Sequence, residues 1–213
     1  MELIIISNTC VGAEIYKQLN KQYTSPFIGT LIPNDKEYIK LCNNIHYYLN
    51  VTPIINQVPK DNTPFAIQNK SKYYKHPAIR IPYPVIHLED IEIHCIHDNI
   101  DNITLKWQRR CERTREIILR NNYLIINSLT MYEFLNNHTD IISVINNYIN
   151  NKQEKVHNLF IGPLLPALKC ENYIVDAAYS TDISHRNSSH VPINNDQDKS
   201  GIIFANYIKQ KIL

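Results

Sequence analysis

The chain has 213 residues, 44% of them hydrophobic and 20% charged, with a formal net charge of +2. That length can bury one sizeable core, and a charge this small does not mark a nucleic-acid or anionic-membrane surface. No apolar run approaches the roughly 18 residues of a membrane span, and five scattered cysteines argue against a disulfide framework or a clustered structural zinc site.

The start lacks the basic residues of a secretory signal, so a cytoplasmic protein is expected, organised as one α/β domain over residues 1–213. Leu3, Ile4, Ile5 and Ile6 form a short continuous apolar run, the pattern of a strand covered on both faces. Ser7, Asn8 and Thr9 are residue types that cap helices, and Val11, Ile15 and Leu19 then recur at helical spacing. With the cap at Asn8 or Thr9, Cys10 falls in the first helical turn, where unpaired N–H groups and the helix dipole favour a thiolate. Such a turn lies at the carboxyl end of a strand, the edge where open α/β sheets bind ligands.

After a break at Pro26, residues 26–32 read as a short strand or extended loop. Asn34 with Glu37 resembles a capping box, and Tyr38, Leu41, Cys42, Ile45, Tyr48 and Leu49 follow at helical spacing. Cys42 thus reads as a small core residue. Residues 51–58 predict a strand that Pro53 confines to an edge or delays. The Lys-, Asn- and Pro-rich stretch 59–76 reads as an exposed loop.

Residues 91–97 alternate as Ile-Glu-Ile-His-Cys-Ile-His and predict a strand ending at Asp98. His94 and His97 lie an odd number of residues apart, so on a regular strand they face opposite sides and do not share a metal ion, unless the strand ends before Cys95. No metal is expected. Ile100, Ile103, Trp107, Cys111, Thr114 and Ile118 mark the inner stripe of a long helix, which leaves Lys106, Arg109, Arg110 and Arg113 mostly off it. A charged helix face is ordinarily a solvated one, yet guanidiniums after a His-bearing strand end also suit a phosphate or carboxylate clamp.

Further strands are predicted at 123–127, 156–161 and 173–177, with one or two short helices between Thr130 and Tyr148. The polar stretch 180–200, carrying His185 and His190, reads as loop, and an amphipathic helix over 202–212 closes the chain. Strands alternating with helices predict a Rossmann-like, three-layer α/β/α sandwich with a mostly parallel sheet.

Several of these stretches together resemble the DUF1919 family, whose bacterial members are often labelled exopolysaccharide biosynthesis proteins. They are ISNTCVGAEIY at 5–16, SPFIG at 25–29, PNDKEYIKL at 33–41 with Tyr47, Tyr48 and Leu49, YPVIHLEDIEIHCIH at 83–97, and KWQRR with Arg113. The likeness covers about the first 115 residues in order. The family's turn is usually Asn-Asn-Cys-Trp-Gly; here Thr9 and Val11 replace the second Asn and the Trp, while Cys10 and Gly12 remain. The Asn-Cys turn is also similar, at the level of the site alone, to the polysaccharide acyltransferase family that includes the capsule protein WcbI, which is linked to coenzyme A.

The resemblance implies an acyltransferase with a coenzyme A thioester as donor, a sugar or glycan as acceptor, and no nucleic-acid partner. In that reading Cys10 is the nucleophile and His94 or His97 the general base. Ser7, Asn8, Gly12 and the N–H groups after Cys10 line the reaction centre and its oxyanion hole, and Arg109, Arg110 and Arg113 bind phosphates. Three other readings use the same residues: a glycosyltransferase-like sugar-nucleotide enzyme, which would normally want an Asp-x-Asp metal motif; a thiol hydrolase; and a non-catalytic glycan-pathway binding protein. Cys10 and both histidines also have ordinary structural roles open to them, as a small buried residue and as hydrogen-bonded core histidines.

Overall fold

The apolar run at the N-terminus forms strand β1 (Glu2–Ser7), and helix α1 (Val11–Gln18) follows it. The structure is a computed structural model that describes residues 1–8, 11–58, 82–128, 139–152, 158–162, 173–175 and 195–211. Continuing along the chain come α2 (Asp35–Asn43), α3 (Ile45–Tyr48), β2 (Ile54–Val58), β3 (Tyr83–Leu88) and β4 (Ile91–His94). Then follow α4 (Ile100–Leu119), β5 (Tyr123–Ser128), α5 (Thr139–Lys152), β6 (Asn158–Gly162), β7 (Tyr173–Val175) and α6 (Asn195–Lys211).

Four strands form a parallel sheet in the order β1-β5-β6-β7, with Ser7 level with Ser128 at its carboxyl edge. Alternation along β1 sends its side chains into two clusters. Leu3 and Ile5 meet Val11, Ile15 and Tyr16 of α1 and Phe204 and Ile208 of α6. Ile4 and Ile6 meet Tyr38 and Leu41 of α2, Trp107 of α4 and Tyr148 of α5. Burial on both sides explains why this strand reads as uninterrupted hydrophobe, each side chain being worth about 1.5–3 kcal/mol when withdrawn from water.

β1 is the edge strand of this sheet, and its free backbone edge is covered by neighbouring groups. The Tyr16 hydroxyl accepts from Ile5 N (3.2 Å) and donates to Leu3 O (3.0 Å), Thr24 Oγ1 donates to Leu3 O (2.5 Å), and Phe27 O accepts from Ser7 N (3.2 Å). Leu3 O, Ile5 N and Ser7 N, supplied in this way, are not left open to another strand.

The expectation of one mostly parallel sheet needs correction. β2, β3 and β4 form a separate antiparallel sheet in that order. Its β3–β4 hairpin turns at Glu89 and Asp90, with Glu89 in the left-handed region at φ 56°. Strand β3 escaped the sequence reading because Pro84, which cannot donate to a ladder, stands within it. Pro53 does delay β2, which starts at Ile54 as an edge strand. Asn34 caps α2 by accepting from Lys36 N (2.9 Å) and Glu37 N (3.4 Å).

Two helices also differ from expectation. The buried stripe of α4 includes Arg110, while Ile100 and Ile118 are only partly buried. The closing helix starts at Asn195, not at 202. Residues 59–81, 163–172 and 176–194, the last with His185 and His190, lie outside the described residues. No described helix is long and apolar enough to cross a membrane.

Candidate functional site

At the carboxyl end of β1, Ser7 and Asn8 are both buried. The Asn8 amide holds both backbone groups of Ile32: Nδ2 donates to Ile32 O (2.8 Å) and Oδ1 accepts from Ile32 N (2.5 Å). Asn8 is thereby a clamp on a neighbouring segment. Thr9 and Cys10 lie outside the described residues. On their far side Gly12 is packed so closely that a Cβ there would stand 2.7 Å from Ser7 Cβ, 2.9 Å from Ile28 Cδ1 and 3.1 Å from Ile5 Cγ2. Only glycine lets α1 start this near the strand end.

Strand β4 ends at His94, three residues earlier than the alternation predicts. There Leu31 pairs backbone to backbone with His94 at 2.9 and 2.8 Å. His97 then sits half-buried in the following turn, its Cδ2 3.9 Å from where a Gly29 side chain would begin. Gly29 has φ +70°, a conformation that suits glycine. Segment 27–32 therefore lies between Ser7, Asn8 and Gly12 on one side and the histidine-bearing strand end on the other, and each side holds it. Ser7 bonds Phe27, Gly12 abuts Ile28, Asn8 clamps Ile32, Leu31 pairs with His94, and Gly29 faces His97.

The His94 ring is fully buried and points onto the face of the antiparallel sheet that also carries Tyr83 and Val85. Its Nδ1 lies 3.1 Å from Tyr83 Oη. Its Nε2 comes within 2.6 Å of Glu92 Oε1 but lacks the alignment of a hydrogen bond. Burial lowers the pKa of His94 below the ordinary imidazole value, with the Glu92 carboxylate opposing that shift. Next in the chain, the Cys95 thiol is raised by burial, so it is a neutral core group.

The three predicted guanidiniums do not converge. Arg109 is exposed. Arg110 is buried, lies 5.1 Å over the Tyr23 ring and donates to Ile28 O (3.5 Å), and desolvation lowers its pKa while Asp98 resists the shift. Arg113 donates to Tyr23 O (2.5 Å), and the next residue, Thr114, donates to Thr24 O (2.6 Å). Arg110, Arg113 and Thr114 thus fasten the loop that leads into segment 27–32. Beneath it Thr30, Cys95, Asp98, Lys106, Trp107 and Arg110 enclose a cavity of about 10 Å³, room for one water molecule, with Lys106 paired to Asp98. Arg113 also lines a cleft of about 380 Å³ with Glu2, Leu3, Lys21 and Arg120 at the amino end of β1, away from the cysteine turn.

The sequence reading overlooked segment 27–32 as the link and Tyr83 and Glu92 as partners of His94. A signal for the latter was present: taking Glu89-Asp90 as a two-residue turn sets Leu88 opposite Ile91, His87 opposite Glu92 and Val85 opposite His94, as the structure has them. Ser128 at the same carboxyl edge was also missed; its Oγ is buried and has no hydrogen-bond partner among the described residues.

Comparison with known proteins adds a relative and a family. An uncharacterized protein of Haemophilus influenzae is 27% identical over 114 residues, which is 53% of this chain and 45% of that protein, so the match spans less than half of the relative's length. The family model described as "Domain of unknown function (DUF1919)" matches residues 1–157, which take in the cysteine turn, segment 27–32, the hairpin and the arginine-bearing helix. The chain belongs to the DUF1919 family.

Proposed function

We propose that this protein is a cytoplasmic acyltransferase that moves an acetyl group from coenzyme A to a sugar or glycan under construction, on a Rossmann-like three-layer α/β/α framework. The observation that carries this reading is the shared segment 27–32, which ties Ser7, Asn8 and Gly12, the residues flanking Thr9 and Cys10 in sequence, to the strand end bearing His94 and His97. The site-level likeness to the WcbI-type acyltransferases gives the reaction its class.

In this reading Cys10 Sγ attacks the thioester carbonyl carbon, the carbon–sulfur bond to coenzyme A breaks, and the departing thiolate takes up a proton. The acceptor hydroxyl then attacks the acyl carbon, its proton passes to a base, and the carbon–sulfur bond to Cys10 breaks to release the ester and the free cysteine. His97 fits that role better than His94, whose ring is turned toward Tyr83 and Glu92. Backbone N–H groups in the first turn of α1 stabilise the oxyanion. Asn8 holds the turn in place, since its amide is engaged by Ile32. Arg109, exposed on α4, is the guanidinium suited to a donor phosphate. The divergence of Arg110 and Arg113 weighs against a diphosphate clamp of the kind a nucleotide-sugar enzyme needs.

The test compares wild type with Cys10→Ala by thermal shift and intact mass, with acetyl-coenzyme A, coenzyme A and UDP-sugars. Acyl transfer predicts stabilisation by the coenzyme A ligands and an acetyl increment on wild type that Cys10→Ala lacks. Stabilisation by UDP-sugars alone would replace this reading with a sugar-nucleotide enzyme. Silence from all three would favour a glycan-pathway binding protein.

A further inference from the structure

At the amino end of β1, away from Ser7 and Asn8, lies a cleft of about 380 Å³ that the acyl-transfer reading does not use. Its size falls in the range of about 300–1,000 Å³ usual for small-molecule sites. Leu3 and Ile117, both buried, give it an apolar side. Tyr16 and Thr24 line it as well, but their hydroxyls both bond Leu3 O and so are committed to the fold. The carbonyls where the two neighbouring helices end are also taken: Lys21 N donates to Tyr16 O (2.9 Å) and Arg120 N to Glu116 O (3.2 Å).

The charged side chains around this cleft are not all matched. Arg120 Nη2 stands 3.5 Å from Glu116 Oε2, so those two offset each other. Lys21 also lines the cleft, and its ammonium has no ion-pair or hydrogen-bond partner among the described residues. Arg113 gives one N–H of its guanidinium to Tyr23 O (2.5 Å) and keeps the rest of its fork of five donors. Two cations are thus left with donors to satisfy, against the single carboxylate of Glu2. Both are only partly buried, so they flank the cleft within reach of a ligand that enters from solvent.

We propose that this cleft binds the phosphate monoester of a small hydroxylated molecule, with Lys21 and Arg113 on the phosphate. A monoester carries a charge of about −1.5 to −2 near neutral pH and calls for two cations, whereas a carboxylate calls for one. The planar fork of Arg113 matches a pair of phosphate oxygens, and the Lys21 ammonium adds a compact second charge. Glu2 repels an anion, but its carboxylate accepts from hydroxyl groups, and the neighbouring Gln22 amide both donates and accepts. A body that carries hydroxyls satisfies those two groups while its C–H surface rests on Leu3 and Ile117. The site is independent of Cys10 and of the acyl-transfer reading.

The test is calorimetric titration of the full chain with glucose 6-phosphate, alongside gluconate, inorganic phosphate and glucose. Saturable binding of one glucose 6-phosphate per chain is expected, about tenfold or more tighter than any of the other three. Salt should weaken it, because the cleft is open to water. Lys21→Gln removes a charge that pairs with nothing among the described residues, and should weaken binding about tenfold. Arg113→Lys keeps a donor for Tyr23 O but loses the fork; weaker binding is expected with an unchanged circular dichroism spectrum. Lys36→Gln, exposed on α2, should bind as wild type does. Hydrogen exchange under saturating ligand locates the site, with slowing expected at residues 21–24 and 113–120. Slowing at Leu31 and Ile32 instead would put the ligand beside Asn8 and overturn this site while leaving acyl transfer standing. Absence of saturable binding, wild-type affinity in Lys21→Gln, or equal affinity for gluconate, inorganic phosphate or glucose would overturn it too.

Discussion

At the residue scale, Gly12 shows how one small side chain positions a turn. Its neighbours leave less room than any Cβ occupies in practice, and two of the three nearest atoms belong to Ser7 and Ile5 of β1 itself. Gly12→Ala should therefore destabilise by overpacking, by about 1–3 kcal/mol in urea denaturation; unchanged stability would mean that α1 starts further from the strand. The cysteines give a second prediction. Cys42, Cys95 and Cys111 are buried and none of them is in a disulfide, and burial pushes the Cys111 thiol up to about 12 and raises Cys95 as well. Thiolate is the reactive form, so iodoacetamide at neutral pH should leave these three unmodified in the native protein and label them after unfolding. Peptide mapping reads both states.

At the element scale, segment 27–32 is held both by hydrogen bonds to its main chain and by packing, since Phe27 and Ile32 enter one core cluster, Ile28 a second and Leu31 a third. Asn8 is its most specific tether, because an amide is able to donate to Ile32 O and accept from Ile32 N at once. Asn8→Asp keeps the size and loses the donor, leaving a buried carbonyl facing a carboxylate. A loss of about 1–3 kcal/mol is expected, together with faster hydrogen exchange at Leu31 and Ile32. Tyr16→Phe makes the corresponding test for the edge of β1: it strips the hydroxyl that serves Leu3 O and Ile5 N, at a similar cost. Equal stability of Tyr16→Phe and wild type would show that water replaces that hydroxyl. These elements were partly legible beforehand. The helix over 100–119 was expected from its apolar spacing, but Arg110 was placed off its inner face because periodicity treats a guanidinium as a solvated group, whereas here an aromatic ring and a carbonyl receive it.

At the scale of the whole molecule, the end of the chain closes on its beginning. The family match stops at residue 157, yet β6 and β7 continue the parallel sheet beyond it and α6 packs on α1. Phe204 is wholly buried against the cluster that contains Val11 and Ile15. Phe204→Ala should cost about 3–5 kcal/mol and loosen α1, which hydrogen exchange at Ile15 and Tyr16 would report. Exchange confined to α6 would mean that the two helices unfold separately.

The sequence by itself determined the local periods: the buried strand with its cap-rich turn, the helix that Asn34 starts, and strands expected at 123–127 and 156–161 and observed at Tyr123–Ser128 and Asn158–Gly162. It did so because burial on both faces, capping chemistry and helical spacing are written in consecutive residues. Only the tertiary structure decided the division into two sheets, the separate destinations of Arg109, Arg110 and Arg113, and the meeting of Asn8, Gly12, His94 and His97 around one short segment. Those outcomes depend on which distant backbone groups need partners once the chain is folded, and no local spacing encodes that demand.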